Sequence, residues 1–245
     1  MRYHYYILTT LPTLGEFDST APLTLRQLLE YVADIAAPKT LLEAVFLSDD
    51  LLQWQSCLAG ETTDPDTVVL TPGQSRNEEP LPDYLFAGTI EGPTHIPGDE
   101  LWATYFRHAA AVADRLGSKF LTAWVEYEVT LRNAVASARA KALNLDPTDY
   151  LVATELAVSD ADLSPTLNEW SGSENPFVGL GILDKARWDW LVQHDGWFTF
   201  DNDELASYAA KLMLLCRRQR LGQTQQERRA PQSANTNLKP ERTNV

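Results

Sequence analysis

The chain has 245 residues, 44% of them hydrophobic and 10% aromatic, so it can bury a sizeable core and is not a disordered polypeptide. Its net charge is −14, and the basic residues after Gly222 leave sixteen basic against thirty-two acidic residues in the body up to Leu221. Such a surface repels phosphate backbones and anionic headgroups, which excludes nucleic-acid binding and direct membrane insertion as expectations.

The opening segment, MRYHYYILTTLPTL, lacks a long apolar run and a small-residue cleavage site, so no signal peptide is expected. No stretch approaches the roughly 20 apolar residues that span a bilayer. Leu23-Thr24-Leu25-Arg26-Gln27-Leu28 then starts a helix: Thr24 is the N-cap, Gln27 closes the capping box, and Leu23 with Leu28 forms a staple. Leu25, Leu28, Leu29, Val32 and Ile35 keep the helical rhythm up to Pro38. A second helix is expected over Thr40 to Ala59, broken near Ser48-Asp49-Asp50.

From Gly60 to Pro97, six prolines and frequent acids mark a long connection with one short helix at Pro82 to Ala87. The expected organisation is therefore an N-terminal helical segment over 1–59, a proline-rich acidic connection over 60–97, a C-terminal bundle over 98–221 and a disordered tail over 222–245. Apolar residues Leu101, Tyr105, Ala109, Val112 and Leu116 restore helical spacing, and Gly117 terminates that helix. The central stretch Ser118 to Asn144 holds no glycine or proline, with Leu121, Trp124, Leu131 and Val135 on one stripe. As a helix of about 26 residues it is roughly 40 Å long. It forms with its predecessor either an antiparallel hairpin or one kinked rod.

Asp146-Pro147 pairs an N-cap with proline at the first helical position. A helix over Pro176 to Gln193 follows, with Gly179-Leu180-Gly181 read as an irregularity in it. The last helix starts with an Asp201-to-Glu204 box inside a Phe200–Leu205 staple, and Arg217, Arg218 and Arg220 sit at its expected C-terminal end. Strand-like alternation is confined to the first ten residues and Thr67 to Leu70. The fold class is all-α: a multi-helix bundle with long antiparallel helices.

A search for chemistry returns little. Cys57 and Cys216 are far apart and read as reduced, buried thiols. His4, His95, His108 and His194 lack metal-site spacing, and Glu126 and Glu128 point in different directions on a helix. The acidic runs Asp49-Asp50, Asp160-Ala161-Asp162 and Asp201-Asn202-Asp203 lack the calcium-loop pattern and read as caps and solvated turns. Phosphate loops, dinucleotide fingerprints and nucleophile elbows are absent. Neither a cofactor nor a metal is expected. Trp188, Trp190 and Trp197 read as packing residues. The one polar pair singled out is Glu128 and Arg132, four residues apart with the glutamate first. It is either a partly exposed intrahelical pair or a buried pair that sets the register of neighbouring helices.

Several segments resemble a bacterial family encoded alongside V-type (A/V-type) ATPase subunits. They are Tyr5-Tyr6-Ile7-Leu8 with Leu11-Pro12, Phe46 to Leu52, Leu81-Pro82-Asp83-Tyr84, Trp124 to Glu128 with Leu131-Arg132-Asn133, Leu183 to Trp188, and Phe200-Asp201 through Leu212. That family is regarded as similar to the C-type adaptor of archaeal-type ATPases, called d in eukaryotes, which is all-helical. The resemblance implies a reduced version of that C-type fold, since the chain is short for the three-lobed form. It implies a non-catalytic role in ion transport, with the membrane rotor ring and the central stalk as partners. The implied location is cytoplasmic, peripheral to the inner membrane through the ATPase complex. Two other classes remain open: an acidic helical regulator unrelated to the ATPase, and a small helical enzyme using Asp189 or Asp195 in a tryptophan-lined pocket.

Overall fold

The computed structural model describes residues 2–86, 98–158, 162–196 and 199–234, with side chains from Tyr6 to Gln223 within those ranges. The described chain is all-α. Its helices are α1 (Arg2–Thr10), α2 (Leu25–Tyr31), α3 (Ala36–Leu58), α4 (Pro72–Ser75), α5 (Gly98–Leu116), α6 (Lys119–Ala142), α7 (Ser164–Ser171), α8 (Pro176–Gln193) and α9 (Asn202–Ala234). Short 3-10 turns at Asp83–Leu85, Pro147–Tyr150 and Thr154–Leu156 complete it. The strand-like alternation near the N-terminus lies in α1, and 67–70 is irregular. No described helix is long and apolar enough to cross a membrane.

The middle of the bundle is α3. Leu41, Leu42, Ala44, Val45, Phe46 and Leu47 are all buried, so nearly the whole circumference is covered. It packs on α5 and α9, while α5 packs on α6, α6 and α8 on α9, and α7 on α8. The expected break at Ser48-Asp49-Asp50 does not occur. The Ser48 hydroxyl donates to the Val45 carbonyl (2.9 Å) instead of capping a new turn, and both aspartates are buried.

Local signals set most helix ends. At α2 the Thr24 hydroxyl accepts from the Gln27 amide while the Gln27 side chain accepts from the Thr24 amide. Between α5 and α6, Gly117 adopts φ +67°, a left-handed conformation that costs glycine little. The Ser118 amide donates to the Ala113 carbonyl and the Gly117 amide to that of Asp114, a Schellman ending. The chain therefore reverses into an antiparallel hairpin, and the kinked rod is excluded. Ser118 caps α6 by accepting from the Leu121 amide.

Further expectations are corrected. Helix α9 runs on to Ala234, so the tail boundary at Leu221 falls inside it and Arg217, Arg218 and Arg220 lie in its interior; residues 235–245 fall outside the described ranges. The helix anticipated at Pro82 to Ala87 is only the 3-10 turn Asp83–Leu85, with Ala87 outside the described ranges. Gly179 is no irregularity: α8 is continuous, and a Cβ there would sit 3.0 Å from Ser173 Oγ and 3.2 Å from the Trp170 ring, so glycine permits α7 to approach closely. The divisions at 59/60 and 97/98 coincide with changes in chain character. One cluster of buried side chains runs from Ile7 to Leu215.

Candidate functional site

The aspartates of α3 point to two different constructions. Asp50 directs its carboxylate at a bend of the connection. The amides of Val68 (3.1 Å), Val69 (2.6 Å) and Leu70 (2.8 Å) all donate to it, a run of backbone N–H groups closing around an anion. Burial pushes the Asp50 carboxyl up to about 7, against the pull of those three amides. Part of the proline-rich connection is thus latched to the central helix.

Asp49 begins a largely buried ladder of alternating charges. Arg220 Nη2 donates to Asp49 Oδ2 (2.5 Å), and Arg217 Nε to Asp49 Oδ1 (3.0 Å). Arg217 Nη1 reaches Asp184 Oδ1 (3.5 Å), which also accepts from Arg187 Nη1 (3.1 Å). Arg187 then grips Glu128 through two parallel bonds, of 2.7 and 3.2 Å. Three arginines alternate with three carboxylates across α9, α3, α8 and α6. Desolvation alone would raise the pKa of Asp49, but the charges of Arg220 and Arg217 outweigh it and hold the carboxyl below its ordinary value. Arg187 is also desolvated, and the charges of Glu128 and Asp184 outweigh that to keep it firmly protonated.

Glu128 and Arg132 do not form the intrahelical pair that their spacing suggests. Glu128 bonds Arg187 of α8, and Arg132 Nη2 donates to Asp99 of α5 (3.2 Å). The Arg132 guanidinium lies over the Trp102 ring, 4.8 Å from its centroid, which turns it towards α5. Both residues therefore serve interhelical contacts. Their side-chain exposures, 17% and 31%, put the more buried of the two in the two-point pair.

Beside the ladder lies a cavity of about 510 Å³ bounded by α3, α5, α6, α8 and α9. Trp102, Tyr105, Phe106, Trp124, Leu131, Leu183 and Met213 supply apolar wall, and Glu128, Arg132, Arg187 and Arg217 contribute charge. The Tyr105 hydroxyl donates to the Ala44 carbonyl (3.1 Å), and burial raises its pKa well above normal.

The remaining candidates scatter. Asp189 pairs with Lys185 on the exposed face of α8, and Asp195 bonds Lys211 and Ser207; neither lines the cavity. His108 stacks on Tyr84 with ring centroids 4.2 Å apart, and His194 on Trp190 at 3.9 Å. Burial, aided by Arg115, lowers the pKa of His108. Trp188 contacts Phe17, and Trp190 packs against Tyr127 and Trp124, while Trp197 and His95 fall outside the described residues. Both cysteines are half-buried free thiols, and burial pushes that of Cys216 up to about 11. Among the described residues no group of three or more His, Cys, Asp or Glu is placed to hold a metal.

Sequence reasoning missed Asp49, Asp184, Arg187, Arg217 and Arg220 as one unit. A signal existed for two of them. Asp49 closely follows the apolar run Ala44 to Leu47, and Arg217 falls four residues after Met213 on the buried face of α9. Charges in such positions need partners when buried. The class these features define is a helical bundle with a charged spine and an arginine-edged cleft. Compared with models of protein families, with curated proteins and with solved structures, the chain matches none.

Proposed function

We propose that this chain is a non-catalytic adaptor of a bacterial V-type (A/V-type) ATPase, coupling the membrane rotor ring to the central stalk for ion transport. The observation that carries the reading is the largely buried ladder from Arg220 to Glu128, which ties four helices together. A part that transmits torque must resist sliding of one helix past another. Shifting any ladder helix by a turn separates an ion pair and leaves a charge buried, at a cost of about 3–5 kcal/mol. The segments that resemble the ATPase-associated family include four ladder residues: Asp49 within Phe46 to Leu52, Glu128 within Trp124 to Glu128, and Asp184 and Arg187 within Leu183 to Trp188. In this role the chain reaches the membrane through protein partners and leaves nucleotide chemistry to the rest of the complex.

The test is purification of the tagged chain from its own cells at physiological salt. Rotor-ring and stalk proteins are expected to copurify in fixed ratio. Deleting the gene should leave ATP hydrolysis by the detached catalytic head while abolishing ion pumping. Recovery of the chain alone, with a coupled ATPase complete without it, overturns the reading and favours the unrelated regulator.

A further inference from the structure

The cavity beside the ladder has a composition that holding helices together does not require. Four arginines line it, Arg132, Arg139, Arg187 and Arg217, against two carboxylates, Asp99 and Glu128, in a chain whose net charge is −14. Two of the arginines are occupied: Arg187 by Glu128 and Asp184, and Arg217 by Asp49 and Asp184. The other two are held less tightly. Arg132 has a single-point contact with Asp99, itself 53% exposed, and its guanidinium is held over Trp102. Arg139 lies over the Trp170 ring, and among the described residues it pairs with no carboxylate.

The rest of the wall is mostly apolar, and the lip carries exposed leucines. Leu143 and Leu145, just beyond α6, line the cavity yet are 68% and 45% exposed. An apolar slot of about 510 Å³ falls in the size range of small-molecule sites. Its polar groups are mainly the charged side chains, and the excess of arginine over carboxylate disfavours a cation. A planar anion matches the fork of a guanidinium, and an alkyl chain matches the wall.

From these features we infer that the cavity binds a small amphipathic carboxylate, a single-chain fatty-acid-like anion. Its headgroup sits against Arg132, and its chain lies along the slot towards Met213. The site gives an all-helical body a means of sensing free acyl anions, and it stands or falls apart from the adaptor reading.

The experiment uses the full chain and three probes of equal length, decanoate, decan-1-ol and decyltrimethylammonium, titrated calorimetrically below their aggregation limits. Decanoate is expected to bind saturably at one site, the alcohol about tenfold more weakly, and the cation not at all. Arg132→Gln should weaken decanoate about tenfold while leaving the alcohol unchanged, because only the charged headgroup contact is lost. Ala136→Trp, which fills the slot from α6, should remove both. Thermal melts establish that each variant is folded, and where one is not, the three-probe comparison on the wild-type chain decides. Equal binding of the three probes, or decanoate uptake that never saturates, overturns the proposal.

Discussion

Asp49 and Asp50 are adjacent on one helix and titrate in opposite directions. The Asp50 carboxyl is raised by burial to about 7, so between its unfolded value of 3.8 and about 7 the folded chain holds a proton that the unfolded chain has released. Its contribution to stability is fully present below 3.8 and is lost as pH rises through about 7. Asp49 has its pKa lowered, so its contribution is present above 3.8 and is lost as pH falls through the folded value. Asp50→Asn should therefore flatten the fall in melting temperature expected for the wild-type chain between about pH 5 and pH 8; an unchanged profile would sink the assignment. Asp49→Ala removes the shared partner of Arg217 and Arg220 and should cost about 3 kcal/mol or more in urea unfolding. The partner of neither was legible locally. Ser-Asp-Asp has the composition of a helix break, and the arginine that buries Asp49 lies 168 residues away.

At the scale of elements, one helix caps another. Asp203, at the start of α9, accepts from the Ser118 hydroxyl (2.5 Å) and from the amides of Lys119 (3.1 Å) and Phe120 (3.2 Å), so the first turn of α6 is satisfied partly from across the bundle. Asp203→Ala should destabilise the chain by about 1–2 kcal/mol, with α6 amides near its start exchanging faster. Asn133 does comparable work at the other side of α6, donating to the Val152 carbonyl (2.8 Å) and accepting from its amide (2.9 Å) while buried. Asn133→Ala strands both backbone groups, and a loss of about 1–3 kcal/mol is expected in thermal unfolding. The Thr24 box, the Gly117 stop, the Ser118 cap and the bounds of α8 were all readable, because each depends on groups within a few residues. Helix α7 went unseen, because its eight residues bury none of their side chains and carry no strong apolar stripe.

At the scale of the whole molecule, the charged spine and the single core make the bundle one mechanical body. Amide exchange should show the buried stretches of α3, α6 and α9 opening together with the same free energy; two separate values would mean that the lobes on either side of the connection unfold independently. Apolar periodicity, caps and breakers determined the all-α class and most helix bounds, since those signals act between neighbours along the chain. Which carboxylate meets which arginine, why Asp50 holds the connection, and that five helices line an arginine-edged slot were decided only by the tertiary structure. Burial and charge pairing depend on residues that the chain brings together from its two ends, and spacing along a single helix carries no record of them.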